Sequence, residues 1–152
     1  MSQFKTIMSV FRAEMVKEIK EQESLRERAV AHTKIADVAH EMIGQTTPDE
    51  WMTNTIKRSK MQEKLYRYAH NLDIEKVEKY DRKLHELDME QMEHCRENPE
   101  KYMVFQEETK ETVRNEGAYL SLCDEAKWQF EDRAKLIKFL KMLIEVKSAI
   151  PH

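Results

Sequence analysis

Glu86, Glu90, Glu93 and Glu97 recur at i, i+4, i+7 and i+11, with His94 one turn after Glu90, so a helix would carry them along one face. Bundle proteins build di-iron centres from such rows, but those centres need Glu-x-x-His on two helices and a further glutamate from each of two others. The residues three before His32, His70, His85 and His94 are Ala29, Arg67, Arg82 and Gln91, and the nearest approach is Asp37 before His40. Glu75, Glu78 and Asp81 offer one half of a two-helix Mg²⁺ cage, yet no second Glu-x-x-Asp occurs to supply ligands from another direction. The row is therefore expected to be a solvated acidic face, with no metal and no cofactor. Nucleophilic catalysis is not expected either, because no serine or cysteine sits in a glycine-containing turn that would expose it beside oxyanion donors. The chain reads as a non-enzyme.

The second constellation is cationic. Between Trp51 and His70 lie Lys57, Arg58, Lys60, Lys64 and Arg67, opposed only by Glu63, interleaved with Tyr66 and Tyr68 and flanked by Thr53, Asn54, Thr55 and Ser59. Cations track phosphates while aromatic faces stack bases, so this stretch is a candidate contact surface for single-stranded nucleic acid. A net charge of -3 gives the whole molecule no steering field, so such binding is local. The plainer alternative is intramolecular. Residues 45–72 hold five Lys/Arg against three Asp/Glu and residues 73–98 five against nine, so two helices packed as a hairpin would neutralise each other, with Trp51 and Tyr68 in the core.

Positioning these residues falls to helices. The chain of 152 residues has only Gly44 and Gly117, and Pro48, Pro99 and Pro151, to punctuate it. That scarcity argues against tight turns and phosphate-wrapping loops. A first helical stretch is expected from Ser2 to Ile43, capped at Gly44, with one stripe from Phe4, Met8, Phe11, Met15 and Ile19 and another from Ala31, Ile35, Val38 and Met42. The two fall out of phase across residues 20–24, and Ser24 with Glu27 could form a capping box, so a kink or break is expected there. Thr47-Pro48-Asp49-Glu50 starts the basic helix, which carries Met61, Leu65, Tyr68 and Leu72 on one face. A third helix, Ile74 to about Glu97, shows Val77, Tyr80, Leu84, Leu87, Gln91 and His94 at alternating spacings of three and four. Asn98-Pro99-Glu100 is expected to open a shorter helix with Tyr102, Phe105, Thr109 and Val113. The last helix, Ala118 to Ala149, is the most apolar.

The expected fold is all-α: an elongated bundle of five to six helices with coiled-coil-like packing, residues 1–44 forming an N-terminal segment and 45–152 the helical core and oligomerisation region. Cys95 and Cys123 are too few for a disulfide framework, the N-terminus lacks an apolar signal region, and 136–146 is interrupted by Lys138, Lys141 and Glu145. A cytoplasmic protein without membrane contact is expected, in the host cytoplasm if the chain is viral. Burial of the wide apolar face of the last helix on another helix or subunit outweighs lipid attraction at Lys135, Lys138 and Lys141, so Phe130, Ile137, Leu140, Leu143 and Ile144 are expected to pack as core or as a homo-oligomer seam.

The order of Trp51, the Lys64-Leu65-Tyr66-Arg67-Tyr68 run, a Glu/Lys-rich helix with Tyr80 and Leu84, Tyr119-Leu120, Asp124 and the closing Phe139-Leu140-Lys141-Met142-Leu143 resembles the small UvsY-type recombination mediators of bacteriophages. The resemblance covers the C-terminal two thirds. It implies a helical, oligomeric, cofactor-free protein that binds single-stranded DNA and assists a recombinase, with Lys57, Arg58, Lys60, Lys64 and Arg67 on phosphates and Tyr66 or Tyr68 stacking. The acidic stretch ending in Asn98-Pro99 departs from the basic, tyrosine- and glycine-containing turn of that family. The alternative expectation is an adaptor or inhibitor that recognises a protein partner through stripes such as Met8, Phe11 and Met15, without nucleic-acid contact.

Overall fold

The computed structural model describes the chain at residues 2–43, 49–97, 103–106, 110–114 and 116–150, with side chains at 3–31, 34, 53–94, 96–97, 110 and 131–150. Among the described residues four helices and one small ribbon follow in order: α1 (Ser2–Ile43), α2 (Asp49–His70), α3 (Ile74–Glu97), β1 (Met103–Gln106), β2 (Glu111–Arg114) and α4 (Glu116–Ala149). The expectation of five to six helices is thus corrected to four, for two separate reasons.

The first is that α1 runs unbroken through Ser24. No glycine or proline interrupts residues 20–27, and the polar run that looked like a boundary is held in register by α2: Arg67 pairs with Glu23 at 2.9 Å, and Arg26 with Glu63. A capping box would need Ser24 to leave helical geometry, which those neighbouring pairs give it no reason to do. At about 1.5 Å per residue, α1 is a rod of about 63 Å.

The second is that the described residues of the expected short helix are not helical. Residues 103–106 and 111–114 pair instead as antiparallel strands, Val104 opposite Val113 and Phe105 opposite Thr112. Val, Thr and Phe favour a pleated strand through their stiff or bulky side chains, and the i, i+3, i+7 spacing of Tyr102, Phe105 and Thr109 concealed that preference. Lys110 turns the chain at φ 59. Scarcity of glycine therefore does not bar tight turns here. Leu72 does the same at φ 58 between α2 and α3, where Leu72 N–H bonds to Ala69 C=O (3.0 Å) and Asp73 N–H to Tyr68 C=O (3.0 Å) in a Schellman cap. Asp73 then caps α3 by accepting the Lys76 N–H.

Contacts along the helices fix the topology. Glu23 and Glu63 of α1 and α2 meet Arg67 and Arg26, Arg58 of α2 meets Asp88 of α3, Asp81 and Glu78 of α3 meet Arg133 and Lys141 of α4, and Phe11 of α1 meets Phe139 of α4. Between α1 and α2, between α3 and α4, and between α2 and α3 once the Tyr68–Tyr80 contact is added, one number falls as the other rises, so successive helices are antiparallel and the bundle runs up, down, up, down. Its core draws Met8, Phe11, Met15 and Ile19 from α1, Leu65, Tyr66 and Ala69 from α2, Val77 and Leu84 from α3, and Leu140 and Leu143 from α4. Val77, Leu84, Leu87 and Gln91 of the α3 stripe are buried, but they serve a shared four-helix core, and this packing does not establish a coiled-coil seam. Gly44, Thr47-Pro48 and Asn98-Pro99-Glu100, expected as caps, and the side chains of Ile35, Val38, Met42, Trp51, Cys95 and Cys123 lie outside the described residues. Among the described residues no helix is long and apolar enough to cross a membrane.

Candidate nucleic-acid interface

The outer edge between α2 and α3 is where the chemistry-bearing cations gather, because antiparallel packing lays Lys57, Lys60, Lys64 and Tyr68 of α2 alongside Lys76, Tyr80 and Lys83 of α3. At its centre the rings of Tyr68 and Tyr80 stack, with centroids 5.7 Å apart and planes 23° from parallel. Three ammonium groups rim this pair: Lys76 Nζ lies 4.8 Å from the Tyr68 centroid, and Lys83 and Lys64 Nζ lie 5.1 and 5.9 Å from that of Tyr80. Both rings are half-buried and all three lysines exposed. Cations over ring faces are held by the aromatic quadrupole while their long stems stay mobile.

Not every cation read from the sequence joins this edge. Lys57, Lys60 and Lys64 are exposed as a phosphate contact requires. Arg58 is turned inward, its Nε 3.0 Å from Asp88 Oδ1 with both side chains largely buried. Arg67 faces the opposite neighbour, bonding Glu63 at 2.8 Å and Glu23 at 2.9 Å. Glu63 is drawn below the ordinary carboxylate value: burial pushes it up, but the hydrogen bonds and charges of Arg67 and Arg26 overcome that. Tyr66 is only 6% exposed. Its hydroxyl accepts a bond of 3.1 Å from Gln62 Nε2, and its phenol is held above the ordinary value chiefly by burial. So little of that ring is exposed that a base has no face of it to stack on.

Lys76, Tyr80 and Lys83 were not singled out as contacts from the sequence. Their spacing of i, i+4 and i+7 places them on one helical face, which was a legible signal, but the summed charge of residues 73–98 is acidic and hides it. The acids of that helix follow further along it, Glu90 two turns beyond Lys83 on the same face: Glu86, Glu90, Glu93 and Glu97 are all exposed, and among the described residues no group of three or more His, Cys, Asp or Glu is placed to hold a metal ion.

The expected α4 seam divides in the same way. Leu140 and Leu143 are in the bundle core, Ile137 packs against it, Ile144 is half-buried, and the Phe130 side chain lies outside the described residues. The large apolar side chains that α4 leaves outside among the described residues are instead Phe139, Met142 and Val146, at 36%, 50% and 43% exposure. Met8, Phe11 and Met15, the stripe expected to meet a protein partner, are buried in the same core.

Comparison with known proteins adds no assignment. No family model, no curated protein and no solved structure matches this chain.

Proposed function

We propose that this protein is a helical accessory protein that binds single-stranded nucleic acid along the α2–α3 edge, acting through binding energy with no bond made or broken. The observation that carries this reading is the stacked Tyr68–Tyr80 pair rimmed by Lys64, Lys76 and Lys83. A base stacks on an exposed ring face, the lysine that had covered it swings on its flexible stem to a phosphate, and Lys57 and Lys60 extend the cationic track by two turns of α2. The order of residues shared with UvsY-type mediators supports the same reading, and with it a role in helping a recombinase load on single strands.

Binding of a fluorescent oligodeoxythymidylate, measured by anisotropy across a salt series, tests it. Affinity should fall steeply with salt, with each phosphate contact contributing about 0.7 to the log–log slope. Lys64→Ala, Lys76→Ala and Lys83→Ala together should weaken binding and flatten that slope. Tyr80→Ala should cost about 1–3 kcal/mol of stacking with the slope retained. Absence of binding at low salt, or a slope untouched by the three lysine changes, overturns the proposal.

A further inference from the structure

On the side of the bundle opposite that edge, α1 and α4 leave a groove of about 640 Å³ between them. Its floor is Phe11, Met15 and Tyr66, each buried, and the Phe11 and Phe139 rings meet across it at 5.7 Å. Its apolar rim is Ile7, Val10 and Phe139, exposed by 45%, 66% and 36%. The lining runs from Thr6 to Glu18 on α1. At about 1.5 Å per residue that is about 18 Å, room for three turns of another helix laid along it. Met142 and Val146 extend the apolar surface one and two turns further along α4.

The charges at the groove are one-sided. Glu14, Glu18 and Asp132 line it against Lys135 alone, and a smaller adjoining hollow of about 350 Å³ adds Glu21 and one cation, Arg28, beside Glu18, Tyr66 and Asp132, so acids outnumber bases in both. None of Glu14, Glu18, Glu21 or Asp132 has an ion-pair partner among the described residues. Their mutual repulsion reaches into the native state. Burial first, and then the charges of Glu21, Glu14 and Asp132, hold the Glu18 carboxyl above its ordinary value against the lowering charge of Lys17.

We infer that the α1–α4 groove is a docking site for a basic amphipathic helix of a partner protein, with apolar residues at i, i+3/i+4 and i+7 seated on Phe11, Met15 and Phe139 and Lys or Arg side chains meeting Glu14, Glu18 and Asp132. This is the helix-in-groove mode, in which the apolar face supplies affinity and the charged rim fixes orientation and partner choice. A second copy of this chain fits less well. A two-fold contact apposes the same patch on both copies, which would bring the carboxylate row of one towards that of the other. The inference does not depend on nucleic-acid binding, since the two surfaces share no residue.

The test uses the full chain and two labelled synthetic peptides of identical pattern, one of leucine and lysine and one of leucine and glutamate, followed by anisotropy. The Leu/Lys peptide should bind with an affinity that falls with salt, and the Leu/Glu peptide should bind at least about tenfold more weakly. Val10→Lys with Glu14→Lys changes only exposed side chains, so circular dichroism should be unaltered while Leu/Lys binding drops by about tenfold or more. Glu90→Lys, on the exposed acidic face of α3, should leave binding unchanged. Equal binding of the two peptides, loss with Glu90→Lys in place of the groove variant, or a free protein that is a dimer in solution and becomes monomeric with Val10→Lys and Glu14→Lys, would each overturn the inference.

Discussion

Burial pushes two carboxylates of this molecule upward, yet their net shifts are opposite because their neighbours differ. Glu18 lies among Glu14, Glu21 and Asp132 and is raised from 4.5; Glu63 lies between Arg26 and Arg67 and is lowered from it. A raised carboxyl binds its proton more tightly in the native chain, so the stability it contributes is full below 4.5 and is lost as pH rises through the native value. Glu63 contributes above 4.5 and loses that contribution as pH falls through its lowered value. Glu18→Gln should therefore raise Tm at neutral pH, a gain that disappears in acid, and Glu63→Gln should lower it, a loss that also fades in acid. Thermal melts over the carboxylate range would show this, and pH-independent shifts in both variants would refute it. Arg133 poses a second question at this scale. It is 2% exposed, bonds Asp81 Oδ1 through Nε at 2.7 Å, and leaves both terminal nitrogens buried without a hydrogen-bond partner among the described residues. Removing only the counterion strands the guanidinium, so Asp81→Ala should cost about 3–5 kcal/mol in urea unfolding. Replacing both, with Arg133→Met and Asp81→Leu, should cost less than Asp81→Ala alone.

At the scale of elements, helices were legible wherever apolar periodicity was long. The bounds expected for α1 and α3 and the start and end of the basic helix lie within a few residues of those observed, because stripes such as Val77, Leu84 and Gln91 bury one face over many turns. Punctuation was less legible. Ser24 had the form of a cap yet lies mid-helix, where the neighbouring Glu23 and Arg26 are held by α2. Lys110 had no turn signal yet adopts the left-handed conformation that closes the ribbon. A lysine there bears a Cβ clash with the following carbonyl that glycine avoids. Lys110→Gly should accordingly stabilise the fold, by up to about 1 kcal/mol, since the side chain is exposed and little packing is lost. Chemical unfolding measures it, and a destabilised variant would mean that the Lys110 side chain itself supports the turn.

For the whole molecule, up-down-up-down order sets the α2–α3 edge and the α1–α4 groove on opposite sides, one rimmed by lysines and the other by carboxylates. The separation lets each surface serve as the control for the other: the three lysine substitutions should spare peptide binding, and the groove substitutions should spare oligonucleotide binding. It also explains why net charge was a poor guide, since -3 is the residue of two opposed local fields. By itself the amino-acid sequence determined what depends on local order: long helices, their apolar stripes, the cations of α2 and the acids of α3. Only tertiary structure decided which of those residues reach the α2–α3 edge. Arg58, Arg67 and Tyr66 carry the same chemistry as Lys64 and Tyr68, but which side of α2 meets α1 or α3 is fixed by packing on other helices, far away in sequence. Tyr80 joins Tyr68, and Phe139 joins Val10, for the same reason: helical periodicity specifies a face, and the partner of that face is settled only when the bundle closes.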